Sequence, residues 1–165
     1  MIELLVLDVD GCMTDGRITY TSSGEELKSF NVKDGFAIVA WKRLGKKVAI
    51  ITGRESKIVE VRAKELGVDY LFQKVKQKEQ TLLEISKASG IPLDHMAAIG
   101  DDLNDYRLLR SVALSFVPSD GVPEVKEIAK VLLKSKGGEG AVREMIEYLL
   151  RKEGLFQRYL DFWRE

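Results

Sequence analysis

Asp8 and Asp10 stand two residues apart at the end of an apolar run, in "LLVLDVDGCMTDG" over residues 4–16, with Asp15 close behind. In extended backbone, positions i and i+2 face the same side, so the two carboxylates share one space and repel each other there. Two more acids, Asp101 and Asp102, follow a second apolar run in "MAAIGDD", and Thr52 follows a third in "VAIIT". Several carboxylates gathered at one site require a cation, and an all-oxygen set of ligands suits Mg2+. A metal-bound carboxylate that substrate can also reach is able to attack phosphorus and form an acyl phosphate. The metal would hold the phosphate oxygens and lower the repulsion between the two anions. A second carboxylate two residues on could protonate the leaving alcohol and later activate water. A hydroxyl such as Thr52 and an ammonium such as Lys78 would neutralise the remaining oxygens of the transferring group.

Short apolar runs alternate with longer amphipathic stretches, and this pattern is what must position those side chains. Strands are predicted over 2–7, 47–51, 70–72, 96–99, 112–116 and 131–133. Helices are predicted over 36–44, 56–66, 78–88, 103–109, 122–129 and 141–150, with helical spacing clearest in Ile58, Val61 and Leu66 and in Leu82, Leu83 and Ile85. Gly45 and Gly67 fall where helix C-caps belong, and Gly90 with Pro92 marks another stop. The expected fold is therefore α/β, a Rossmann-like parallel sheet with helices on both faces. In such sheets ligands bind outside the carboxyl ends of the strands, where Asp8, Asp10, Thr52, Asp101 and Asp102 all fall. One segment breaks the alternation: "TSSGE" is flanked by 17–20 and 26–31, which reads as a short β-hairpin projecting after the first strand.

The 165 residues suit one domain, able to bury roughly 70% of its unfolded surface. No repeat, low-complexity tract or linker leaves room for a second, so 1–150 reads as the domain and 151–165 as a C-terminal tail. Lysine and arginine balance aspartate and glutamate, 26 to 26, which removes the electrostatic case for nucleic acid. No apolar run approaches the length that spans a bilayer. The first strand is too short and lacks the basic flank of a signal peptide, so a cytoplasmic protein is expected. The only cysteine, Cys12, has no internal partner and reads as a small buried side chain. The only histidine, His95, lies in a polar turn and reads as a surface residue. The tail "RKEGLFQRYLDFWRE" predicts a short amphipathic helix that packs on its own domain or on another subunit, the alternative being a segment that closes over an active site.

Four segments together resemble the haloacid dehalogenase superfamily: "LLVLDVDGCMTDG", "AIITGR", the helix-opening lysine of "KQKEQTLLEI", and "AIGDDLND", in the proper order over residues 4–105. The resemblance extends over nearly the whole chain to a branch without a cap domain. Through "DGRITYTSSGEELKSFNVKDGFAI", "ITGRES", "VRAKELGVDYLFQ" and "GGEGAVREMIEYLL" the chain resembles the 3-deoxy-D-manno-octulosonate 8-phosphate phosphatases. That family removes phosphate from a sugar acid on the way to lipopolysaccharide, with Mg2+. The resemblance implies a homotetramer in which the hairpin helps build the assembly and shields a neighbour's site. It assigns Asp8 as nucleophile and Asp10 as general acid and base. Asp8, the Asp10 carbonyl and Asp101 would hold the metal, and Thr52 with Lys78 the phosphoryl group. Gly53, Arg54 and Arg62 are expected beside a carboxylate-bearing substrate, since a guanidinium grips a carboxylate bidentately. Lys33 and Asp34, ending the hairpin, are further candidates, Asp34 alternatively capping the next helix. Asp102 and Asp105 either support the metal ligands or cap the helix after them. The family pattern carries Arg where this chain has Glu139.

A phosphatase of nine-carbon sugar-acid 9-phosphates is the alternative enzyme, disfavoured because that branch commonly carries Glu in place of Arg54. A phosphate-receiving signalling module would share the acidic pocket, Thr and Lys, yet it places its accepting Asp after a later strand and lacks an acid two residues on. A catalytically idle relative is disfavoured by the four intact motifs.

Overall fold

The computed structural model describes residues 1–164. At its centre is β1 (Leu4–Leu7), buried on both faces, with parallel partners on either side: β4 (Lys47–Ile51) and β6 (Met96–Ile99). Beyond β4 lies β5 (Tyr70–Phe72), and beyond β6 lie β7 (Leu114–Val117) and β8 (Val131–Leu132), giving the order β5-β4-β1-β6-β7-β8 with every pair parallel. Alternate strand residues face opposite sides, and two hydrophobic layers follow. Leu5, Leu7, Val48, Ile50 and Ile99 pack against α1 (Val32–Arg43), α2 (Lys57–Leu66) and α6 (Ala141–Lys152). Leu4, Val6, Ala49, Ile51 and Ala98 pack against α3 (Lys78–Ser89), α4 (Tyr106–Ser111) and α5 (Pro123–Ile128). Among the described residues no helix is long and apolar enough to cross a membrane.

This is the expected α/β sheet with helices on both faces, and the segment after β1 holds a hairpin and no cap. The hairpin is shorter than predicted. Only β2 (Thr19–Tyr20) and β3 (Glu26–Leu27) pair, around a turn with Gly24 at φ +86°. The first helix starts four residues early, at Val32, because the Asn31 side chain caps it by accepting from the Lys33 amide at 2.9 Å. The strand expected from residue 2 begins at Leu4, since the Ile2 amide donates instead to Glu153 and its carbonyl accepts from Lys46. The helix expected over 103–109 divides into a tight 3-10 turn, Leu103–Asp105, followed by α4. There the Asp105 carboxylate turns back to accept from the Asp101 amide at 3.0 Å.

The C-terminal stretch forms α7 (Phe156–Asp161), with Tyr159 buried and its hydroxyl 3.4 Å from Glu147 of α6. Trp163 stacks on Phe36 of α1 at 3.8 Å and lies under the Arg43 guanidinium. Within the chain the tail thus packs on its own helices, α1 and α6.

Candidate active site

From β1 the chain winds outward through β4 to β5 on one side, then crosses back to β6 on the other side of β1, which makes the carboxyl end of β1 the topological switch point where ligands bind in open sheets. Asp8 follows β1, Thr52 follows β4, and Asp101 follows β6 after one glycine. These three, with Asp10, Gly53, Arg54, Asp102 and Asn104, line one cavity of about 160 Å3. A larger cavity of about 450 Å3 adjoins it through Asn104 and lies between the start of α3 and Leu103–Arg107, but it holds none of Asp8, Asp10 and Asp101.

Two close approaches shape the floor. Gly11 has φ +99°, and a Cβ there would fall 1.9 Å from Asp101 Oδ2, so only glycine lets the β1 loop lie against that carboxylate. From behind, Gly137 presses on the same loop; a Cβ on it would fall 1.8 Å from the Gly11 carbonyl oxygen. The Gly138 amide donates to the Cys12 carbonyl at 3.0 Å. The "GGEG" segment is therefore a backbone support for the loop of Asp8 and Asp10. Glu139, at the position where the resembled family carries Arg, is exposed and does not line the cavity.

Lys78 opens α3 and is buried, with Nζ 2.6 Å from Asp8 Oδ1 and 2.6 Å from Asp105 Oδ1. Burial alone would push its ammonium down, but the two carboxylates outweigh burial and hold it above its ordinary value. Burial, then Asp105 and Asp101, push the Asp8 carboxyl well up against the pull of Lys78. Asp101 is pushed up to about 6, first by burial and then by Asp105. Three carboxylates thus surround one ammonium, and the surplus is negative. The donor set fits a hard divalent cation: carboxylate oxygens of Asp8 and Asp101 lie within 4.8 Å of one another and of Cys12 Sγ. Cys12 does not fit the set. Burial raises its thiol well above the ordinary range, which keeps it protonated, and its Sγ lies 3.8 Å from Asp101 Oδ1 as a weak donor.

Asp102 lines the cavity and also caps the following turn, accepting from the Leu103 amide at 2.7 Å. Asp105, buried, serves as the counter-ion of Lys78. The structure does not bring Arg62, Lys33 or Asp34 to this cavity. Arg62 lies over the Phe30 ring at 5.6 Å and beside Gly35, and Lys33 is exposed. Asp34 belongs to the first turn of α1 and caps neither that helix nor the site. Its Oδ1 accepts from the Arg143 amide at 2.9 Å and so caps the N-terminus of α6 across the chain. Burial raises its carboxyl from 3.8 to about 6 against the bonds it accepts. An acid held up in the folded state favours folding below its unfolded pKa, and that contribution is lost as pH rises through about 6. Asp34→Asn, which keeps an acceptor without charge, is therefore expected to be more stable than the unsubstituted protein above pH 6. The gap should be on the order of 3 kcal/mol and close below about pH 4, read by denaturant melts across pH.

Two residues at the site, Lys28 and Asn104, have no sequence signal. Lys28, just past β3, places its ammonium 2.5 Å from Asp10 Oδ1 and 3.0 Å from Glu26 Oε1. Nearby, Arg54 reaches the Tyr20 hydroxyl at 3.3 Å and Glu26 at 3.5 Å. The base of the hairpin therefore touches the site of its own chain. Asn104 lines the cavity.

A capless α/β domain with an aspartate pair at the switch point, a threonine on one side, an acid on the other and a buried lysine between them defines a haloacid dehalogenase-like hydrolase. The model of the haloacid dehalogenase-like hydrolase family matches residues 70–146. The 3-deoxy-D-manno-octulosonate 8-phosphate phosphatase KdsC of Escherichia coli is 40% identical over 153 residues, 93% of this chain and 81% of that protein. The Yersinia pestis KdsC is 41% identical over 149 residues, covering 90% and 80%. Among solved structures, the Moraxella catarrhalis phosphatase of the same name, in complex with magnesium, phosphate and KDO, superposes with a TM-score of 0.95 at 38% identity, covering 98% of this chain and 92% of that one. The cobalt-bound Haemophilus influenzae protein gives 0.90 at 34%, covering 94% and 91%. The chain belongs to the 3-deoxy-D-manno-octulosonate 8-phosphate phosphatase family.

Proposed function

We propose that this protein is a Mg2+-dependent phosphatase that hydrolyses 3-deoxy-D-manno-octulosonate 8-phosphate to the free sugar acid and phosphate, in lipopolysaccharide precursor synthesis. The observation that carries this is the convergence of Asp8, Asp10, Thr52 and Asp101 on one cavity at the switch point of a chain so close to that family. A carboxylate oxygen of Asp8 attacks phosphorus, and the bond to the sugar oxygen breaks. Asp10 gives that oxygen its proton. Asp10, now a base, takes a proton from water, whose oxygen attacks the phosphorus of the aspartyl phosphate; phosphate leaves and the Asp8 carboxylate is restored. Asp8, Asp101 and the Asp10 carbonyl would hold Mg2+, which would offset the charge of the phosphoryl oxygens. Lys78 uses two of its three donors on Asp8 and Asp105, which fixes the nucleophile and leaves one donor for a phosphoryl oxygen. Thr52 supplies a hydroxyl and Gly53 close backbone approach, while Arg54, part-exposed at the rim, suits the sugar-acid carboxylate.

A cavity of about 160 Å3 holds the phosphoryl end and leaves the sugar outside. The sugar is then covered by other subunits of a cytoplasmic homotetramer, for which the exposed Ile18, Tyr20 and Leu27 of the hairpin region offer apolar contact surface. Phosphate release should be measured from a panel holding octulosonate 8-phosphate and nine-carbon 9-phosphates, each with Mg2+ and with chelator. The expected result is preference for the eight-carbon acid, with release lost on chelation. Preference for a nine-carbon acid would overturn the substrate and leave the mechanism standing.

A further inference from the structure

Lysine is seldom fully buried, and a projecting hairpin is an unlikely place to find one. Lys28 is half-buried as a residue, yet its side chain is only 1% exposed. Its two partners lie on different elements, Asp10 on the loop after β1 and Glu26 on the hairpin itself. Glu26 in turn faces Arg54 of the loop after β4. Charges of alternating sign, Asp10, Lys28, Glu26 and Arg54, thus run from one loop of the site across the hairpin to another.

Asp10 needs such a restraint. It follows a buried strand but is itself part-exposed, next to a glycine with φ +99°, at the mouth of an open cavity. Its carboxylate must meet the leaving oxygen in one step and water in the next, and misplacement by about 1 Å costs as much as 100-fold. Among the described residues, the ion pair that reaches its carboxylate comes from the hairpin. A charge-assisted bond from a buried ammonium is strong and directional. Glu26 holds the ammonium from the other side, so that Lys28 is itself pinned.

We propose that Lys28 is a positioning residue, delivered by the hairpin, that holds the Asp10 carboxylate where it exchanges protons with the leaving group and with water. The proposal rests on the assignment of Asp10 as acid and base. The test is a double-mutant cycle with Lys28→Met, Asp10→Asn and the pair, following phosphate release from octulosonate 8-phosphate with Mg2+. Lys28→Met should lower kcat by about 10- to 100-fold with KM nearly unchanged. Adding it to Asp10→Asn should cost almost nothing further, because both act through one group. Lys28→Arg, which keeps the charge, should recover part of the loss. A wild-type kcat in Lys28→Met, or a double variant whose loss is the product of the two single losses, would overturn the proposal. A wild-type kcat in Asp10→Asn would instead remove the assignment of Asp10, and this inference with it. Thermal melts check folding; if Lys28→Met does not fold, Lys28→Gln carries the same cycle, judged by the same outcomes.

Discussion

Asp8→Asn is expected to lower turnover by at least about 10,000-fold and to leave a folded protein. The side chain keeps its size and its acceptor toward Lys78, so the local geometry has little reason to change. What is lost is the nucleophile: an amide oxygen does not form a hydrolysable aspartyl phosphate under these conditions. Stability points the other way. Asp8 is buried beside Asp105 and Asp101, and both push its carboxyl up, so a neutral group there relieves repulsion between anions. The melting temperature in chelator should therefore hold or rise. Phosphate release and thermal melts on the same preparation check both halves. Turnover within about 100-fold of the unsubstituted protein would rule out covalent catalysis through Asp8.

Lys78→Met carries the largest expected stability cost. Removing one partner of a buried ion pair leaves the other charge uncompensated, which typically costs about 3–5 kcal/mol. Here two carboxylates, Asp8 and Asp105, lose their shared cation at once. For a domain of this size that is a fall of roughly 10 °C in melting temperature. Turnover should fall with it, because Asp8 loses the group that fixes its rotamer. Mg2+ supplies positive charge to the same cluster, so it should raise the melting temperature of Lys78→Met more than that of the unsubstituted protein. Denaturant melts with Mg2+ and with chelator test this. Equal stability of the two proteins in chelator would mean that Lys78 is not the main counter-charge of Asp8 and Asp105.

The sites of chemistry were legible because they sit where local patterns end. Four-residue apolar runs gave β1 and β6 their places, and the first polar residues after them are Asp8 and, one glycine on, Asp101. Gly67 and Gly90 both cap helices in the left-handed conformation, as their positions implied. Element boundaries slipped where a side chain from elsewhere took a backbone group. Glu153 draws off the Ile2 amide, and Asn31 starts α1 early, which carried Lys33 and Asp34 out of the hairpin and into a helix.

By itself, then, the sequence determined the order of strands and helices, the acids at the strand ends and the family, because apolar period, glycine caps and motif spacing are properties of neighbouring residues. Only the tertiary structure decided who pairs with whom among the charges. Asp34 and Arg62 looked like site residues and lie elsewhere, Asp34 capping a helix that begins more than a hundred residues later. Nothing in the sequence marks Lys28, whose side chain is covered where it meets Asp10. A charged side chain carries no local mark of its partner: long-range attraction between charges depends on where distant segments cross, and that crossing exists only once both hydrophobic layers have closed on the sheet.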